Sequence, residues 1–263
     1  MALMRVALVQ LAASTDSAAN RDAVAARLGA VDPASDLVVL PEATMHDFGA
    51  ADHPLAPAAE PLDGPFVALL AEHARRLDVT VVAGMFERTD DLPFNTLVAV
   101  GPDGDLRATY RKIHLYDSFG YRESERLVAG EVTPVVLDVA DARVGLQTCY
   151  DLRFPEMTRL LVDAGADTVL VPAAWVAGEH KLDHWRTLLT ARAIENVVHV
   201  AAAAQGGDRY TGHSIVIDPL GRVLAEAGDG TDETIGATLD PSTTTEAREL
   251  NPSLDNRRIG VGS

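Results

Sequence analysis

The chain contains a single cysteine, Cys149, in the run Gly-Leu-Gln-Thr-Cys-Tyr-Asp (145–151). A strand-like apolar stretch, 143–148, leads into it, and Pro155 opens a helix-like stretch after it. A thiol on such a strand-to-helix turn stands at the end of a sheet. Neighbouring backbone N–H groups, that of Tyr150 first, can face a developing oxyanion there. The competing reading is a small buried hydrophobe, the usual fate of a free cysteine. Two further strand ends carry charge. Leu-Pro-Glu (40–42) places Glu42 directly after an apolar run, and Tyr-Arg-Lys-Ile-His (110–114) places Lys112 at the end of a hairpin strand. A thiol, a carboxylate and an ammonium make a complete acyl-transfer set. The thiol attacks a carbonyl, the carboxylate takes the thiol proton and returns it to the leaving amine, and the ammonium stabilises the oxyanion. Taken singly, Glu42 and Lys112 read equally well as surface charges, and spacing alone does not bring the three together.

The elements that would position them alternate. Strand patterns fall at 5–11, 36–40, 79–86, 143–148, 168–171 and 197–203. Helical patterns fall at 20–28, 66–77, 155–164 and 184–196. Gly-Pro-Asp-Gly (101–104) and Asp-Pro-Leu-Gly (218–221) are turn signals between short strand runs, giving two hairpins. The α/β class follows, with two layers of sheet covered by helices. The segment from about 248 onward has little helical or strand pattern of its own.

Composition limits the function classes. The formal net charge of −17 over 263 residues repels nucleic acid and anionic lipid, so neither is expected as a partner. No window is long and apolar enough to span a bilayer, and the first residues lack a signal-peptide pattern. One cysteine forms no internal disulfide, which fits a cytoplasmic location.

Other candidate constellations are weaker. His180 and His184 lie four apart, a metal-compatible spacing, but Lys-Leu-Asp between them is not the zinc-protease pattern, so no metal is expected. Ser214 in Gly-His-Ser lacks the second glycine of a nucleophile elbow and reads as the start of a strand. Gly206-Gly207 and 101–104 read as turns rather than phosphate loops. Trp175 follows a strand, placed either to line an acyl pocket or simply to pack. Arg192 and Glu195, three apart on one helical face, read as an ion pair.

Three blocks, Leu-Pro-Glu (40–42), Tyr-Arg-Lys-Ile-His-Leu-Tyr-Asp (110–117) and Cys-Tyr-Asp-Leu-Arg-Phe-Pro-Glu (149–156), together resemble the nitrilase superfamily of carbon–nitrogen hydrolases. Each surrounds one member of that family's Glu-Lys-Cys triad. Val-Pro-Ala-Ala-Trp (171–175), the run 184–196, Gly-His-Ser (212–214), Asp-Pro-Leu-Gly (218–221) and Asn-Arg-Arg (256–258) extend the likeness nearly to the end of the chain.

The resemblance implies a nitrilase-like four-layer α-β-β-α sandwich, with 1–263 as a single hydrolase domain. It implies a homodimer or higher homo-oligomer, with the segment 248–263 packing on a partner subunit. It implies catalytic Glu42, Lys112 and Cys149, with the triad lysine favouring thiolate at Cys149. A second glutamate is implied near the lysine, assigned to Glu123 in Tyr-Arg-Glu-Ser (121–124) with Glu125 as competitor. No cofactor is required. The motif set is most similar to the branch of deaminated-glutathione amidase and ω-amidase. The implied activity is hydrolysis of a small amide through a cysteine thioester, releasing ammonia and a carboxylate. N-carbamoyl amides and nitriles are the alternatives with the same triad, and a non-catalytic interaction protein is the alternative of a different class.

Overall fold

The computed structural model describes residues 2–118 and 120–260. Two six-stranded sheets face each other, with helices on their outer faces. The first sheet begins with β1 (Met4–Leu11), β2 (Leu37–Val39) and β3 (Thr80–Glu87), linked by helices α1 (Ser17–Ala30) and α2 (Pro65–Leu77). It continues through the hairpin strands β4 (Phe94–Val100) and β5 (Leu106–Arg111). A small ribbon, β6 (Asp117–Ser118) and β7 (Tyr121–Arg122), precedes the second sheet. That sheet is built from β8 (Val136–Val139), β9 (Ala142–Leu146), α3 (Pro155–Asp163), β10 (Thr168–Leu170), α4 (Lys181–Asn196), β11 (His199–Ala202), β12 (Ile215–Ile217) and β13 (Val223–Glu226). The chain then returns to the first sheet as β14 (Asp232–Leu239) and ends its regular structure with α5 (Pro241–Leu250).

The sheet orders are β14-β1-β2-β3-β4-β5 and β13-β12-β11-β10-β9-β8. Each has a parallel centre, β1-β2-β3 or β9-β10-β11, flanked by antiparallel strands. Side-chain alternation explains the layering. Val6 and Leu8 of β1, Leu37 and Val39 of β2 and Val82 of β3 face the second sheet. Ala7 and Val9, Val38, Val81 and Ala83 face outward onto α1 and α2. The parallel strands are therefore apolar on both faces, which is why they read as unbroken apolar runs. The covering helices answer with single stripes: Phe66, Leu70 and Ala74 on α2, and Trp185, Leu189 and Ala193 on α4. The α-β-β-α sandwich expected from the resemblance is the observed architecture.

Several elements differ from the sequence reading, among them the β6–β7 ribbon and the following three. β8 and β14 were not expected. β14 is an edge strand with alternating exposed and half-buried residues, so it has no apolar run to signal it. Residues 248–250 are the last turn of α5, contrary to the patternless segment expected there; residues 251–260 form turns without helix or strand. The remainder of that expected segment, 261–263, lies outside the described residues.

Candidate active site

Glu42 and Cys149 both follow the C-terminal ends of parallel strands, β2 and β9, where open parallel sheets commonly place ligands. Lys112 follows β5, and Glu123 follows the β6–β7 ribbon. Though 70 residues apart, Glu42 and Lys112 meet: Lys112 Nζ donates to Glu42 Oε1 at 2.8 Å. It also donates to Glu123 Oε2 at 2.9 Å and Oε1 at 3.1 Å. Glu42 Oε2 accepts from the backbone N–H of Ala174 at 2.7 Å, and the Gln205 side chain donates to Glu42 O at 2.9 Å. The Tyr116 backbone N–H donates to Glu123 Oε2 at 2.5 Å. All three charged side chains are 2% exposed or less. Glu125, the competitor for the second glutamate, is exposed and pairs with Arg122 at 3.3 Å.

Cys149 starts a one-turn helix, Cys149–Arg153, with φ of 46°, a strained conformation for a residue with a Cβ. Its N–H donates to Pro172 O at 3.0 Å. The turn is tied to the lysine strand through Asp151. That carboxylate accepts from Tyr110 Oη at 2.6 Å, Thr148 N at 2.8 Å and His114 N at 3.1 Å, with His114 Nδ1 at 2.7 Å. The Tyr150 N–H has no acceptor among the described residues.

Burial shapes the charges. It would push the Lys112 ammonium toward neutrality, but Glu123 and Glu42 outweigh it and hold the group well above the ordinary lysine value. Burial raises the Glu123 carboxyl, opposed by Lys112. The direction at Cys149 runs opposite to the thiolate expected from the neighbouring lysine. Burial and the neighbouring Glu42 raise the Cys149 thiol well above its usual range, and Lys112 only partly offsets them. Two carboxylates already face one ammonium, and a thiolate would add a second unbalanced negative charge. Both causes favour the protonated thiol over the thiolate.

Residues 5–249 match the carbon–nitrogen hydrolase family. The chain belongs to that family. A deaminated glutathione amidase of Escherichia coli O157:H7 is 38% identical over 225 residues, covering 85% of this chain and 85% of that protein. An omega-amidase of Saccharomyces cerevisiae is 33% identical over 99% of this chain and 95% of its own length. The crystal structure of a CN-hydrolase superfamily protein from Xanthomonas campestris, with an arsenic adduct in its active site, superposes with a TM-score of 0.89. It is 34% identical, and all of both chains is covered.

In this carbon–nitrogen hydrolase the Glu42, Lys112, Glu123 and Cys149 side chains lie at the floor of a cleft of about 640 Å³. Tyr116, Tyr121, Trp175 and Tyr210 form much of its wall. Trp175 is buried against Trp185 and donates its indole N–H to Lys181 O at 2.9 Å, so it both lines and packs. Arg192 pairs with Glu195 at 2.9 Å and also donates to Leu152 O at 2.7 Å, bracing the cysteine turn. Ser214 is buried, bonded to Gln10 and Ala204, away from the cleft. His180 and His184 stack at 6.5 Å on the rim, and no group of three or more His, Cys, Asp or Glu among the described residues is arranged to hold a metal ion.

Besides the wall residues Tyr116, Tyr121 and Tyr210, Arg153 and Asn95 were missed in the sequence. Arg153 follows Cys149 by four and lies over the Trp175 ring, 4.8 Å from its centroid. Asn95, on β4, bonds to Glu42 at 2.7 Å. Neither sits in a pattern that distinguishes it from an ordinary polar residue; Arg153 had one signal, its place inside the cysteine block.

Gly84 on β3 shows how tightly the glutamate is seated. A Cβ there would lie 2.6 Å from Glu42 Cα and Ala43 N, and 2.8 Å from Pro41 O. Its own N–H donates to Pro41 O at 3.0 Å. Gly84→Ala must therefore push the Glu42 segment off the sheet. We expect it to cost about 1–3 kcal/mol of stability, as overpacking does, and to lower turnover as well. A thermal melt and a rate assay on one preparation check this; an unchanged rate would mean the glutamate tolerates displacement.

Proposed function

We propose that this chain is an amidase that cleaves a small carboxylate-bearing amide through a thioester on Cys149. The observation that carries the reading is the buried Glu42–Lys112–Glu123 cluster beside the lone thiol at the cleft floor. Cys149 Sγ attacks the amide carbonyl while Glu42 takes the thiol proton. Because the thiol starts neutral, that proton moves as the S–C bond forms. Lys112 Nζ and the Tyr150 N–H stabilise the tetrahedral oxyanion. The C–N bond breaks, and Glu42 returns its proton to the departing amine. Glu42 then deprotonates a water that attacks the thioester; the C–S bond breaks, the carboxylate leaves and the thiol is restored. Glu123 holds Lys112 in place throughout.

The cleft supports an anionic substrate. In a chain of net charge −17, Arg153 lines the cleft and has no carboxylate partner among the described residues. Arg209, by contrast, is already paired with Asp47 at 2.6 Å. Deaminated glutathione and ω-amides of keto acids are candidate substrates; each carries a carboxylate away from the scissile amide. The proposed setting is a cytoplasmic homodimer, the whole chain forming one hydrolase domain and its C-terminal segment meeting the partner. No helix among the described residues is long and apolar enough to cross a membrane.

Release of ammonia from ω-amides, carbamoyl amino acids and neutral aliphatic amides, and of the amine from glutathione-like amides, tests the substrate class. Arg153→Leu should raise KM for the anionic amides by about 10–100-fold, the worth of a hydrogen bond to a charged group, and leave neutral amides unchanged. Equal losses on both classes would remove Arg153 as the anion anchor. A wild-type enzyme that prefers neutral or carbamoyl substrates would overturn the substrate class itself.

A further inference from the structure

Asn95 makes a contact that packing alone does not call for. It lies on β4, 1% exposed, and its Nδ2 donates to two carboxylates at once: Glu42 Oε1 at 2.7 Å and Glu123 Oε1 at 3.2 Å. Its backbone carbonyl accepts from Lys112 N at 2.8 Å. One residue thus holds the lysine by its main chain and both glutamates by its side chain. The opposite amide orientation would set a carbonyl oxygen against two carboxylate oxygens, so the observed one is fixed by charge. It leaves Asn95 Oδ1 buried without a donor among the described residues. An orphaned buried acceptor costs roughly 1–3 kcal/mol. That cost is set against a donor contact to the glutamate pair.

We propose that Asn95 is the positioning residue that selects which oxygen of Glu42 acts as the base, an inference that rests on the thioester reading above. A carboxylate oxygen has two lone pairs in its plane. On Glu42 Oε1 both are taken, one by Lys112 Nζ and one by Asn95 Nδ2. On Oε2 only one is taken, by the Ala174 N–H. The remaining lone pair of Oε2 is the one that receives the thiol proton and later takes one from water. Asn95 closes Oε1 to protons without adding charge. It also supplies a second donor between two buried carboxylates that otherwise share one ammonium.

The sign of the pH effect follows. Removing a donor to the ionised form favours the protonated form, so the glutamate pair loses its base character at a higher pH as the solution is acidified. Asn95→Leu, close in shape and without a donor, should lower kcat by about 10–100-fold, as expected for one hydrogen bond to a charged group, with KM nearly unchanged. The acidic limb of its kcat/KM profile should rise by about half a pH unit or more. Asn95→Asp places a third carboxylate in the cluster and should move that limb further up. If either folded variant keeps the wild-type profile and loses only thermal stability, Asn95 is structural and the inference falls.

A measurement on the wild-type protein covers the case in which the variants do not fold. The side-chain amide protons of Asn95, followed by ¹⁵N NMR, should shift along the same acidic limb and exchange slowly. Flat, fast-exchanging signals would overturn the assignment. Cys149→Ala assayed alongside separates the two levels. If that variant still turns over, the thioester reading fails. If it is dead while Asn95→Leu keeps the wild-type profile, only the role of Asn95 fails.

Discussion

Cys149→Ala is expected to lose amide turnover by a factor on the order of 10⁴–10⁶, the range seen when a covalent nucleophile is removed from a cooperating set. The fold should survive. Alanine keeps the Cβ already accommodated at φ of 46°, so no new backbone strain is introduced. The deleted sulfur sits at the cleft floor rather than in the middle of the sandwich, so the space it leaves opens toward the cleft. A melting temperature within a few degrees of wild type, together with lost ammonia release, is the expected pair of results. Intact mass after rapid quench with substrate gives the positive counterpart: wild type carries an acyl adduct on Cys149 and the variant carries none. Near-normal ammonia release from the variant, or an adduct on another residue, would end the thioester mechanism.

Much of this site was legible in the sequence, for identifiable physical reasons. Glu42, Lys112 and Cys149 each follow a strand within three residues, and a strand end is a local signal: an apolar run, then a charged or nucleophilic residue. Glu123 was singled out through its motif with Glu125 left open; the fold places Glu123 on Lys112 and Glu125 at the surface, and burial belongs to the tertiary fold. Asn95 was invisible because it lies inside a strand, where a polar residue normally reads as solvent-facing. Only the second sheet and the glutamate-bearing loops make that face interior. The direction of the shift at Cys149 was also not legible, for a related reason. A lysine beside a thiol favours thiolate when the pair is solvated or alone. Here the site is dry and already carries two carboxylates, and those two facts reverse the sign. In the fold, helices α1 to α4 and the β4–β5 and β12–β13 hairpins announced themselves by period and turn residues. β14 did not, because an edge strand with one exposed face needs no apolar run to pair with β1.

The two charged members of the triad are expected to fail in different ways when removed, in stability as well as in chemistry. Glu42→Gln keeps the shape and takes one negative charge from a buried cluster that has two carboxylates and one ammonium. The remaining Lys112–Glu123 pair is balanced, so the loss should be limited to the buried Ala174 N–H, which would face the Gln amide NH2 instead of an acceptor, about 1–3 kcal/mol. Lys112→Met leaves two buried carboxylates facing each other without a cation. Breaking a buried ion pair from one side costs about 3–5 kcal/mol, so this variant should melt well below wild type. Against a reactive ester the two fail at different steps. Glu42→Gln should still form some acyl-enzyme, since a good leaving group needs no proton from the glutamate. It should then stall there, because no base activates water. Burst kinetics should show one turnover followed by a flat phase. Lys112→Met should show no burst, because its first tetrahedral oxyanion lacks a donor worth roughly 3–4 kcal/mol. A Glu42→Gln enzyme that clears its thioester as fast as wild type would rule out Glu42 as the hydrolytic base. Glu123, held at the same lysine 2.9 Å away, would then be the carboxylate to test.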